Sequence, residues 1–345
     1  MENLAQMEDL PQQYRDKLQN QNLVPLWPSL RNLLPALQPQ PQTQTTVWYY
    51  QKIKPLLLQA GALTPIEKAE RRVLVLANSG HGLDNLRASS VMYLGMQLLL
   101  PNEIAPSHRH TPNAVRLVVE GKGAYTCVEG QKCLMEKGDL ILTPAGLWHE
   151  HGHEGNEPVI WLDILDLPIV HHIEASYVEQ TAEAVNMIQE QSYRYGKGLV
   201  PLKDGQRISN DQKPVILRYP WSESKALLQN LAKDQDLHSM VQITFVHPEN
   251  GKPVQSIIGF SALMLRPKEK IKLVKRSCAQ VFHVIEGVTT VKVDSMSYAL
   301  NESDTLCAPC FAEIEFENQQ SDPCFVFIAD ESELQKNLGL YSERV

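Results

Sequence analysis

The chain repeats itself. Leu99-Leu100-Pro101-Asn102-Glu103 returns as Leu265-Arg266-Pro267-Lys268-Glu269, and Val118-Val119-Glu120-Gly121 returns as Val284-Ile285-Glu286-Gly287, both 166 residues later. Two echoes at one spacing imply an internal duplication, so the second half should fold as the first does. The runs Val115-Arg116-Leu117-Val118-Val119, Gly123-Ala124-Tyr125-Thr126-Cys127-Val128 and Leu140-Ile141-Leu142-Thr143 are short, apolar and punctuated by glycine. Such runs read as antiparallel strands joined by tight turns. An all-β chain of two similar halves follows, and 345 residues at 43% hydrophobic content suffice for two cores.

Charge and composition exclude several classes. A net charge of −8 with no block of lysine or arginine gives no surface for nucleic acid. No stretch approaches the roughly 18 apolar residues of a membrane span, and Met1-Glu2-Asn3-Leu4-Ala5 begins no signal peptide. A cytoplasmic protein is expected. Six cysteines in so long a chain make no disulfide framework, and Cys307-Ala308-Pro309-Cys310, with no second pair, reads as reduced strand cysteines.

Chemistry concentrates between residues 108 and 149. His108 and His110 share one face of a strand, and the returning strands bring His149 beside them. Three imidazoles would hold a metal and leave adjacent coordination positions open, as a ferrous ion needs when it binds substrate and dioxygen together. Arg116 has the parity of His108 and His110 and would face the same cavity, where a guanidinium pairs with a carboxylate.

The spacing Gly138, Pro144-x-Gly146, His149, together with His108-x-His110 and Gly123, resembles the two cupin motifs. Many cupins carry a glutamate after the first motif, whereas Ala114 and Val115 stand at those positions here. More of the chain is similar to one branch. Ala69-Glu70-Arg71-Arg72-Val73-Leu74, Ala105 to Thr111 with Arg116, and Trp148-His149-Glu150-His151-Gly152 with Trp161-Leu162-Asp163 resemble the gentisate 1,2-dioxygenase family over roughly residues 45 to 330.

The resemblance implies two double-stranded β-helix (jelly-roll) barrels and Fe(II)-dependent, extradiol-type cleavage of gentisate (2,5-dihydroxybenzoate) with O2 to maleylpyruvate. It implies iron on His108, His110 and His149, and substrate contacts from Arg72, Tyr93, Gln97 and Arg116. His151 would be the catalytic acid or base, oriented by Asp163, and the assembly a homotetramer. The second copy places Val274, Arg276 and Ile314 where the first has its histidines, so one Fe(II) per chain is expected.

Five segments are expected: a helical N-terminal arm at 1–88, a metal-binding barrel at 89–170, a linker at 171–240, a metal-free barrel at 241–332 and a tail at 333–345. Thr64-Pro65-Ile66-Glu67 should start a helix running to about Arg72, where the chain should change to strand, and Ala175–Gln191 should be helical. A related salicylate or 1-hydroxy-2-naphthoate dioxygenase, a non-redox metal cupin such as an isomerase, and a binding protein stay open as alternatives. Arg72 and Asp163 also fit plain structural roles at a helix end and a turn.

Overall fold

All three apolar runs are strands in the computed structural model, which describes residues 4–181, 187–189, 202–203, 206–207, 216–234, 240–248 and 250–344. The first barrel is built from two antiparallel sheets. One carries β2 (Arg72–Val75), β3 (Tyr93–Leu99), β5 (Ala114–Glu120), β8 (Leu140–Thr143) and β10 (Val159–Leu165). The other carries β4 (Ile104–His110), β6 (Ala124–Val128), β7 (Gln131–Leu134), β9 (His149–His153) and β11 (Val178–Gln180). The second barrel repeats the plan, with a sheet containing Gly259–Leu265, Gln280–Glu286, Thr305–Ala308 and Cys324–Asp330 and one containing Lys270–Lys272, Thr289–Val293, Met296–Leu300 and Ile314–Glu317.

Glycine explains part of the echo. Gly121 and Gly287 both have φ near 90°, and a Cβ on either would press into the backbone of the facing strand at Pro158 or Pro323.

The strands of β5 are buried on both faces, and each face has its own use. Val115, Leu117 and Val119 join Met96, Leu98, Ile160 and Leu162 in a core shared with Val281, Ile285, Phe325 and Phe327 of the second barrel. The two barrels therefore pack sheet against sheet. Ala114, Arg116 and Val118 face inward instead. Below the polar mouth, Val118, Ile141, Trp161, Ala124 and Val128 close an apolar floor.

The segment expected as a helical arm divides. Residues 1–42 form a unit of their own with helices α1 (Gln12–Asn20) and α2 (Leu30–Leu33), and Leu33, Leu34 and Leu37 are exposed on it. From Thr46 the chain adds strands as well as helices. β1 (Thr46–Trp48) pairs with Thr305–Ala308 of the second barrel, α3 (Tyr50–Leu63) follows, and β2 pairs with β3 of the first.

Two sequence expectations need correction. The helix expected to reach Arg72 is only α4 (Ile66–Ala69), because Glu70 takes a φ of 52° that ends it and starts β2. The helix expected over Ala175–Gln191 is not formed where residues are described: Val178–Gln180 is strand β11, pairing with β4, and Ile188–Gln189 pairs with β7. Residues 182–186 and 190–191 lie outside the described set. None of the described cysteines forms a disulfide, Cys307 and Cys310 included.

Candidate active site

β4 and β9 run antiparallel with His108 opposite His149. Cross-strand pairing thus supplies two ligands and the i+2 parity of β4 supplies His110. Their ring centroids lie 4.1, 4.8 and 5.3 Å apart, and one nitrogen from each falls within 4.8 Å of the others.

The donor set fits a cation. Nδ1 of His110 lies 2.7 Å from the Pro112 carbonyl and Nδ1 of His149 lies 3.0 Å from that of Leu147. Backbone acceptors on Nδ1 leave Nε2 as the donor to a metal, the usual way an imidazole ligand is oriented. The Nε2 of His149 is buried with no hydrogen-bond partner. Burial, helped by the guanidiniums and neighbouring rings, pushes His108 down to about 3 and His110 to about 4. Burial and Arg116 hold His149 well below its ordinary value. All three are neutral, ligand-ready imidazoles at neutral pH.

Behind them stands a second polar layer. His151, fully buried, has its Nδ1 3.0 Å from Thr126 Oγ1 in a hydrogen bond, and its Nε2 has no partner. Asp163 does not touch His151. It sits 3.1 Å from Nε of Arg116 and accepts the indole N–H of Trp161 at 3.1 Å. Burial raises its carboxyl to about 6 even with Arg116 beside it. Arg116 also donates to Thr143 Oγ1. Gln97 is buried with an unpaired amide nitrogen, and the Tyr93 ring lies across Gly95. So many unpaired polar atoms in one buried place mark a site built for a ligand.

Arg72 lies elsewhere. Its guanidinium meets Glu103 and the Gly61 carbonyl. Strand alternation sends its neighbour inward: Nη2 of Arg71 is 2.5 Å from Nδ1 and 3.4 Å from Nε2 of His108. Sequence reading missed Arg71, Thr126 and Thr143. Parity along β2 would have pointed to Arg71, but Thr126 and Thr143 are cross-strand contacts with no local signal.

His108 and His110 open into a cleft of about 460 Å³, lined further by Arg71, Pro106, Pro112, Leu165, Leu167 and Tyr177. It carries Arg71 at the histidine end, Leu165, Leu167 and Val178 along its walls and Glu70 with Gln180 at its rim, which suits a flat anionic ring.

Comparison with known proteins agrees. Residues 95–165 match the cupin domain model. The chain is 55% identical to gentisate 1,2-dioxygenase of a Ralstonia species over 99% of its own length and 96% of the relative's. The chain belongs to the gentisate 1,2-dioxygenase family. It is therefore an enzyme, a ring-cleaving dioxygenase of the cupin fold. It is also 32% identical to 5-aminosalicylate 1,2-dioxygenase of a Comamonas species, over 94% of this chain and 87% of that one. A crystal structure of salicylate 1,2-dioxygenase from Pseudoaminobacter salicylatoxidans, an adduct with gentisate, superposes with a TM-score of 0.87 at 26% identity, covering 99% of this chain and 98% of that one. No helix among the described residues is long and apolar enough to cross a membrane.

Proposed function

We propose that this enzyme opens the ring of gentisate with dioxygen to give maleylpyruvate, using one Fe(II) held by His108, His110 and His149. The observation that carries this is the convergence of three neutral imidazoles beside two guanidiniums, Arg71 and Arg116, with no carboxylate among the ligands. Such a site is net positive, and a ring acid bearing a carboxylate and an adjacent hydroxyl answers both its charge and its open positions.

The ferrous ion would supply the redox chemistry that couples an electron-rich ring to dioxygen. The chain supplies position, charge and proton handling. Arg116, braced by Asp163 and Thr143, presents a fixed positive charge to the substrate carboxylate. Arg71, beside His108, would supply a second positive charge for the same group. Tyr93 and Gln97 border the ring, the amide of Gln97 giving its unpaired N–H to an oxygen. His151 keeps an unpartnered Nε2 inside a water-poor layer and would hydrogen-bond an oxygen of the substrate there, with Thr126 fixing the ring. Arg72 acts through structure, tying β2 to α3 and to Glu103.

Salicylate is the second reading, because the superposed salicylate 1,2-dioxygenase takes gentisate in its crystal. Metal-free protein loaded anaerobically with ferrous iron should bind about one equivalent per chain and consume oxygen with gentisate. Oxygen uptake with salicylate alone would overturn the substrate, and about two irons per chain would overturn the one-site reading.

A further inference from the structure

The outer wall of the cleft comes from β11, which pairs along the metal-bearing strand with Val178 opposite His110 and Gln180 opposite His108. Paired antiparallel residues share a face, so Val178 and Gln180 stand on the cleft side. Glu179, on the other face, is salt-bridged to Arg109 at 2.7 Å, and Arg109 lies 4.9 Å over the Trp148 ring. That outward contact fixes the register of β11 and so the placement of Gln180.

Across the rim, Gln180 donates from Nε2 to Glu70 Oε2 at 3.1 Å. Glu70 holds a left-handed φ of 52°, uncommon for a residue with a long side chain. That turn sends Arg71 to His108 and leaves Glu70 on the cleft. Glu70 is the one carboxylate among the residues lining it. Leu165, Leu167 and Tyr177 offer only apolar or neutral surface.

We propose that the Glu70–Gln180 pair selects the substituent on the far edge of the aromatic acid, favouring rings that carry a hydrogen-bond donor there over rings that carry none. This rests on the ring-acid reading above. With the carboxylate and its adjacent oxygen held at the histidines and arginines, the position para to that oxygen points away from them. A hydroxyl or amino group at that position donates to the carboxylate of Glu70, which releases Gln180. An unsubstituted edge leaves Glu70 and Gln180 to each other and gains nothing. An acceptor-only group, such as nitro, meets a negative charge and is rejected. Specificity thus arises as a difference between partners rather than as tighter binding of all.

The test is the ratio of affinities for 2,5-dihydroxybenzoate and 2-hydroxybenzoate, measured by anaerobic calorimetry on the iron-loaded protein, together with the ratio of kcat/KM in air. Glu70→Gln should lower both ratios roughly tenfold, the size of one hydrogen bond to a charged group. Gln180→Leu, which removes only the competing donor, should keep or raise them. Glu70→Gln should also admit 5-nitrosalicylate better than the parent does. Ratios unchanged in Glu70→Gln, or both acids weakened equally, would overturn the proposal. Binding is read apart from turnover, so a parent protein that binds the acids and oxidises neither defeats the functional reading while the affinity ratio still decides this one.

Discussion

The two barrels share a fold and differ in what they enclose. Strand register puts Phe282 opposite Ile328 in the second barrel, as Arg116 stands opposite Asp163 in the first. Likewise Phe316 faces Val291 where His151 faces Thr126, and Ile314 replaces His149. Phe282 and Phe316 meet edge to face at 5.1 Å inside a core of Leu263, Val284, Val291, Val326 and Ile328. Even the mouth is treated differently. Glu343–Arg344 pairs with Lys275–Arg276 much as β11 pairs with β4, but there Arg276 is tied to Asp330 at 3.1 Å and no histidines converge among the described residues. An identical scaffold therefore closes well on apolar side chains. The ion pair, unpaired imidazoles and amide of the first barrel are retained at a cost in stability, and ligand binding is what that cost supports.

The strongest way to break the comparison is to give the first barrel the interior of the second. Arg116→Phe alone strands Asp163 in a dry site and should cost about 3 kcal/mol, as loss of one partner of a buried pair does. Arg116→Phe with Asp163→Ile should recover that loss and be at least as stable as the parent in urea, while kcat/KM falls on the order of a thousandfold. Metal content should persist in both, since neither residue belongs to the histidine trio. A double variant as unstable as the single one would show that Thr143 and Trp161, left without their partners, matter more than the ion pair does.

The histidine trio was legible because its spacing is local: two residues on one strand, and a third after a glycine and proline turn. The duplication was legible for the same reason, since conserved offsets survive along a strand. Contacts that depend on where a chain turns were not. Glu70 ends α4 with a left-handed backbone, and that single turn decides that Arg71 rather than Arg72 reaches His108. β11 reads as part of a helix by composition. It is a strand because the edge of β4 offers unpaired backbone groups that it satisfies. Thr126 on His151 joins residues 25 apart across β6 and β9, a pairing no sequence pattern announces.

Acid should sharpen the contrast between the barrels. Unfolded imidazoles take protons near pH 6.5, whereas burial keeps His110 neutral to about 4, His108 to about 3, and holds His149 and His151 well down. Below pH 6.5 the unfolded chain binds protons that the folded chain refuses. Stability of the metal-free protein therefore falls as pH drops from 6.5 toward 4, by at most about 1.4 kcal/mol per pH unit per histidine. Asp163, raised to about 6, works oppositely, because its burial penalty is relieved as pH falls through 6. Asp139, Glu150 and Asp166, also raised by burial, act in the same direction, so the carboxyls offset part of the loss that the four rings cause. In the second barrel His283 alone is shifted, to about 3, among the described histidines. Urea titrations at pH 7.5 and 5 should show the loss in the parent and most of it in His283→Leu. Equal stability at both pH values would mean that the four rings of the first barrel are solvated.

The smallest expected effect concerns how the barrels hold each other. Each has an aspartate capping the helix that serves the other: Asp304 accepts the Tyr50 N–H at 2.7 Å and Asp139 accepts the Trp221 N–H at 2.8 Å. The side chains then cross. Tyr50 donates to Glu120 of the first barrel at 2.8 Å, and Trp221 donates to Glu286 of the second at 2.6 Å, with Lys54 and Lys225 completing the two pairs. Asp304 and Glu286 are the repeats of Asp139 and Glu120, so the brace was duplicated with the barrels. Asp304→Ala should cost about 1 kcal/mol, the worth of one capping group. Asp139→Ala should cost more, because Arg218, 2.8 Å from that carboxylate, is left without it. The functional consequences should be unequal in the opposite sense. α3 leads through α4 into β2 and Arg71, so Asp304→Ala, made in the second barrel, should raise KM for the ring acid about twofold while metal content is unchanged. The helix capped by Asp139 leads only into the second barrel, and its loss should leave KM where it was. A KM that responds to Asp139 and not to Asp304 would show that the second barrel supports the site through the shared apolar core instead of through α3.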